Sequence, residues 1–86
     1  MNLTDVRGIR CTDIRKGLFS DERVVNINGR GYFVSCCNIG FDRQREIFYV
    51  KPITIEQAEG RYLIRFNADD GCECLFVEES ELVLDN

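Results

Sequence analysis

The chain has 86 residues, a formal net charge of −4, and a composition that is 44% hydrophobic and 30% charged. That length suits one domain with one modest core, and large apolar residues distributed along the chain exclude intrinsic disorder. No apolar run approaches the roughly 18 residues that a spanning helix needs, and charges interrupt the opening "MNLTDVRGIRCTD". The expectation is a cytoplasmic protein with reduced thiols.

The charge is unevenly distributed. Residues 1–45 carry eight basic and five acidic groups, whereas residues 46–86 carry three basic and ten acidic groups. The first half is therefore +3 and the second −7. Such a chain presents one basic and one acidic surface unless folding interleaves its halves.

In chain order, the first pattern lies in "CTDIRKGLFSDERV", where Ile14, Leu18 and Phe19 fall near helical spacing. Gly17 inside the pattern and Ser20-Asp21 after it limit the segment to one short helical turn or an irregular loop. From residue 23 onward the signals are β. "RVVNINGRGYFVSC" holds two β-prone runs around Asn28-Gly29, a pair favoured in two-residue hairpins because both central residues take positive φ. The "GRG" at 29–31 belongs to that hairpin and lacks the spacing of a phosphate loop. Within "GYFVSCCNIGF", strand alternation groups Cys36 with Tyr32 and Val34, and Cys37 with Phe33, Ile39 and Phe41. That predicts one buried and one exposed cysteine, with Cys37 in the core.

"REIFYVKPITIEQ" is a long β-prone run in which Pro52 lacks a ladder N–H, marking an edge, a bulge or a break between two strands. "EGRYLIRFNADDGCECLFV" is the clearest hairpin. Tyr62, Ile64 and Phe66 alternate with Arg61, Leu63 and Arg65 before the turn "NADDG". Beyond it, Cys72, Cys74 and Phe76 are predicted to face inward and Glu73 outward. "EESELVLDN" closes the chain as a tight turn and a short last strand.

These segments sum to five or six short antiparallel strands with at most one short helical turn, in a single domain over residues 1–86. A flat sheet of that size leaves one face bare, so closure is expected. A hairpin, a tight turn and a brief final strand over residues 61–84 resembles the order of SH3-like barrels. The resemblance implies an all-β, SH3-like small barrel, with an OB-like barrel as the alternative, and it implies no function.

The five cysteines, Cys11, Cys36, Cys37, Cys72 and Cys74, do not form zinc knuckles. A knuckle needs C-x₂₋₄-C, an adjacent pair in a strand points to opposite faces, and the chain has no histidine. Packing is the expected role, with no metal or other cofactor. Absence of histidine also removes Ser-His and Cys-His nucleophile pairs. The adjacent acids Asp69-Asp70 and Glu78-Glu79 read as solvated turns with nothing apolar to raise a pKa. A non-enzyme is expected.

Two surfaces remain. Asp69, Asp70, Glu78, Glu79 and Glu81 form an acidic edge suited to docking on a basic surface of a larger protein. The expected function is accordingly a non-catalytic protein-interaction module, an inhibitor or adaptor. The alternative is a single-stranded RNA or DNA binder using Arg7, Arg10, Arg30, Tyr32, Arg43 and Arg45. Against it stands a pI near 4.7, where nucleic-acid-binding domains usually lie above about 9. A homo-oligomer pairing the basic half of one copy with the acidic half of another is the third expectation.

Overall fold

The computed structural model describes residues 2–85. Nine strands follow one another: β1 (Val6–Lys16), β2 (Glu22–Ile27), β3 (Arg30–Ser35), β4 (Ile39–Asp42), β5 (Ile47–Val50), β6 (Thr54–Ala58), β7 (Arg61–Ala68), β8 (Gly71–Val77) and β9 (Leu82–Leu84). Single 3₁₀ turns occupy Leu3–Asp5, Cys36–Asn38 and Glu79–Glu81, and the described residues contain no α-helix. Among them no helix is long and apolar enough to cross a membrane.

The long strand β1 organises the larger sheet, whose order is β3-β2-β1-β5-β4 with β9 also on β1. Ile9 opposes Val50 of β5 and Leu82 of β9, so both edges of β1 are paired at that residue. Further along, Thr12 opposes Asn26, and after a register shift Arg15 opposes Val24 of β2. Asp13 takes φ 52° within that irregularity, a conformation that aspartate tolerates better than most residues. Strand β2 pairs with β1 on both sides of this bulge.

Pro52 lies where the chain leaves the larger sheet for the three-stranded sheet β6-β7-β8. Lys51 N–H donates to Asn38 C=O at 2.8 Å before it, and Ile53 N–H donates to Arg65 C=O at 2.7 Å after it. The residue without an N–H thus occupies the break between two ladders.

The inner faces meet in one core. Ile9, Val25, Val34, Val50, Ile64 and Phe66 have no exposed surface. Tyr32 of β3 meets Phe66 of β7 edge-on, with centroids 5.2 Å apart and planes at 81°. Beside this contact, Asp69 N–H donates to Phe33 C=O at 2.8 Å. These two contacts join the sheets. The result is an all-β, barrel-like globule of short antiparallel strands, and β7, β8, a 3₁₀ turn and β9 follow the order expected over residues 61–84.

The turns carry their own chemistry. Asn28 and Gly29 take φ 54° and 82°, the two-residue hairpin conformation expected there. Glu59 and Gly60 repeat it at 53° and 77°, with a glutamate at a position where asparagine is the usual signal.

Several sequence expectations are corrected. Nine strands replace five or six, and three 3₁₀ turns replace at most one. The near-helical spacing of Ile14, Leu18 and Phe19 is not helical. Ile14 lies within β1, while Leu18 and Phe19 occupy the turn before β2. Long-range pairing of β1 overrides the local spacing. Strand β8 presents the opposite face to that expected: Glu73 opposes Phe66, Leu75 opposes Ile64 and Val77 opposes Tyr62. Opposed residues share a face, so Cys72, Cys74 and Phe76 point outward and are exposed. A one-residue difference in the turn inverts a whole strand. Cys36 and Cys37 are both exposed, because a 3₁₀ turn breaks the strand at that point. Cys37 is therefore not a core residue.

Burial separates two phenylalanines of the same hairpin. Phe66→Ala is expected to lower unfolding free energy by about 3–5 kcal/mol. Phe76→Ala, on the outer face, should stay within about 1 kcal/mol of the native chain. Urea denaturation followed by circular dichroism measures both.

Candidate functional site

An acidic cleft forms where the β1–β2 turn, β3 and the β7–β8 turn converge. The first turn carries Leu18 and Phe19, which are 83% and 67% exposed. Glu22, at the start of β2, is only 4% exposed. Its carboxylate folds back so that Oε1 accepts the Leu18 N–H at 2.6 Å. A side chain at Gly17 would overlap that carboxylate, so glycine makes the space for it. From β3, Phe33 points outward and half-exposed while Tyr32 points inward. The backbone bond from Asp69 to Phe33 holds the Asp69-Asp70 turn against the end of this strand.

The cleft is open to solvent and holds about 300 Å³, lined by Leu18, Glu22, Tyr32, Phe33, Asp69 and Asp70, with Arg30, Gly31 and Glu73 completing the wall. The lining carries four carboxylates and one guanidinium. Arg30 lies over the Tyr32 ring, 5.3 Å from its centroid. The Tyr32 hydroxyl is buried, with the Arg30 side chain beside it. Burial raises the pKa of its phenol; the Arg30 charge and a side-chain hydrogen bond from Arg30 oppose that shift, and the Glu73 charge adds to it.

The five acidic residues expected to form one edge are divided between the two ends of the β7–β8 hairpin. Asp69 and Asp70 cap the end where Ala68 opposes Gly71, and Glu78 and Glu79 follow the end where Tyr62 opposes Val77. Six residue steps separate these ends, roughly 20 Å at strand rise. Glu79 Oε1 accepts from Tyr62 Oη at 3.3 Å, and Glu81 Oε2 accepts from Asn28 Nδ2 at 3.0 Å. The sequence thus supplies two acidic patches rather than one.

The six residues of the basic expectation are dispersed as well. Arg7, Arg43 and Arg45 line a second cavity of about 380 Å³ with Phe41, Asp42 and Asp85. Arg45 pairs with the buried Asp42 carboxylate and donates to Leu84 C=O at 2.8 Å. Arg7 lies 3.9 Å from Asp42 and 3.6 Å from Asp85. Arg43 is exposed and makes no ion pair among the described residues. Phe41 opposes Phe48 across β4 and β5, with centroids 4.6 Å apart and both rings half-exposed. Arg10, opposite Tyr49, is exposed on β1. Arg30 belongs to the acidic cleft. Tyr32, 4% exposed, offers no free face for a base to stack on, which corrects its place in the nucleic-acid set.

Asp42 also accepts the backbone N–H groups of Gln44 and Arg45 at 3.0 and 3.1 Å. The Arg45 N–H is the main reason its carboxyl lies below the ordinary aspartate value of 3.8, with the Arg45 charge helping.

Packing is the role of Cys11 alone. It is buried, and burial pushes its thiol up to about 11; the other four cysteines are exposed. No group of three or more potential metal ligands occurs among the described residues. Sequence reasoning did not single out Leu18, Glu22 or Phe48 as surface or site residues, nor place Glu73 in a cleft. Glu22 had no local signal, since its burial depends on the space over Gly17. No protein-family model, curated protein or solved structure matches this chain.

Two predictions follow from these environments. Native protein treated with a thiol-reactive chromophore should release four equivalents quickly and the fifth, Cys11, only on unfolding. Five fast equivalents would show that Cys11 is accessible. For Asp42, a lowered folded pKa means its stabilisation is present above the unfolded value near 3.8 and is lost as pH falls through the folded value. Asp42→Asn should therefore be less stable than the native chain at neutral pH, with the difference closing below about pH 4. Thermal melts across that range provide the measurement.

Proposed function

We propose that the chain is a non-catalytic protein-interaction module that docks an acidic surface on a basic surface of a larger protein, as an inhibitor or adaptor. One observation carries this reading: Asp69 and Asp70 share a cleft with Glu22 and Glu73 and with the exposed apolar groups Leu18 and Phe33. Protein interfaces combine an apolar anchor with complementary charge, the first supplying affinity and the second encounter rate and orientation. Strand β8 begins directly after Asp70 and is an edge of its sheet, so backbone pairing is available next to the charged turn. Glu78, Glu79 and Glu81 supply a second acidic patch at the far end of the hairpin.

Binding of single-stranded RNA or DNA is the second reading. It is supported by the half-exposed Phe41–Phe48 pair beside Arg7, Arg43 and Arg45. It ranks second because Asp42 and Asp85 already neutralise Arg7 and Arg45.

Affinity capture from the native host, with and without nuclease, supplies the partner for a quantitative test. The double variant Asp69→Lys/Asp70→Lys should weaken the purified complex by about tenfold or more and flatten its salt dependence. Unchanged affinity overturns the docking reading. Capture that disappears with nuclease transfers the assignment to the second reading.

A further inference from the structure

The outer face of the β6-β7-β8 sheet carries chemistry that the docking reading does not use. Strand alternation places Arg61 and Arg65 on that face of β7, and Cys72, Cys74 and Phe76 on that face of β8. Register sets Arg65 directly opposite Cys74. Cys72, opposite Asn67, is the diagonal neighbour of Arg65, within reach of a long side chain. Both thiols are free and exposed. Both arginines are exposed, and neither forms an ion pair among the described residues. Arg61 lies over the Phe76 ring, 4.7 Å from its centroid. Glu56, opposite Leu63, is the one acidic residue that these three strands place on the face. Two arginines and one glutamate leave the face at +1, a basic spot on a chain whose net charge is −4.

We propose that Cys74 is a thiol-modification site, which forms a mixed disulfide with a small anionic thiol of the glutathione class while Arg65 receives a carboxylate of that molecule. The step is thiol–disulfide exchange. Cys74 gives its proton to water, and its sulfur attacks one sulfur of the small disulfide. The S–S bond of the reagent breaks as the new S–S bond to Cys74 forms. The departing thiolate carries away the electron pair and takes up a proton. Cys74 is oxidised, the departing thiol is reduced, and the disulfide itself is the oxidant.

Negative charge is shared over three sulfurs during exchange, so a guanidinium in register with Cys74 stabilises the transition state. It also attracts a reagent that carries carboxylates. Arg65 itself is held above its ordinary pKa, chiefly by hydrogen bonding with the Cys74 side chain and by the Cys74 charge; Glu56 and Cys72 add to the shift and burial opposes it. Cys72 does not displace the adduct. Two residues of strand separate its Cα from that of Cys74 by about 6.7 Å, at the upper limit of disulfide geometry. The mixed disulfide is therefore the end product. Cys36 and Cys37 lie on a 3₁₀ turn outside any ladder and provide exposed thiols for comparison.

The test treats the full reduced chain with glutathione disulfide or with the cationic disulfide cystamine, quenches with acid and maps adducts by peptide mass spectrometry. At low salt, glutathione disulfide should modify Cys74 about tenfold faster than Cys36, Cys37 or Cys72. Cystamine should show no such preference, and added salt should narrow the preference of glutathione disulfide in the native chain. Arg65→Gln should slow Cys74 by about tenfold without changing Cys36 or Cys37, and Arg65→Lys should retain part of the rate. Circular dichroism checks that both variants keep the native fold, and the salt series needs no variant. Equal rates at the four exposed cysteines, the same preference with cystamine, an unchanged Cys74 rate in Arg65→Gln, or a Cys72–Cys74 disulfide as the main product overturns the proposal.

Discussion

Simultaneous pairing of β1 on both edges is the constraint on which the rest of the molecule depends. At Ile9 the backbone faces Val50 on one side and Leu82 on the other, and the side chain is fully buried. Through β5, this strand carries β4; through β2, it carries β3. The last strand, β9, returns from the far end of the chain to complete the ladder, and Asp85 N–H donates to Asp5 C=O at 2.6 Å beside it. Pairings so distant in sequence require closure of long loops before they are rewarded, a topology that folds slowly for its size.

The smaller sheet is located by the Tyr32–Phe66 contact and the backbone bond from Asp69 to Phe33. That placement has a functional consequence. It brings the acidic β7–β8 turn beside the exposed β1–β2 turn, producing a cleft that neither sheet contains alone.

Folding interleaves the two charged halves of the chain. Arg30 from the basic half stands among Asp69, Asp70 and Glu73, while Asp85 from the acidic half is beside Arg7. Two broad faces of opposite sign therefore do not form. What remains is local: an acidic cleft, an acidic patch around Glu78–Glu81, and a partly neutralised basic rim next to Phe41 and Phe48.

Local backbone chemistry was legible from the residues alone. Asn28-Gly29 marked its hairpin, Pro52 marked the passage between sheets, and Tyr62, Ile64 and Phe66 marked the inner face of β7, because each of these depends on dihedral preference or alternation within a few residues. The sequence by itself also determined an all-β chain without histidine chemistry. Only the tertiary structure decided which face of β8 turns inward, that Cys36 and Cys37 sit on a 3₁₀ turn, that residues 6–16 form the central strand, and that Glu22 is buried. Each of these depends on register or space set by residues far away in the chain: Phe66 opposite Glu73, Val50 and Leu82 flanking Ile9, and the absence of a side chain at Gly17. Strand alternation repeats every two residues, so it identifies two faces without saying which is inside. Long-range packing makes that choice, and with it decides which carboxylates share a cleft.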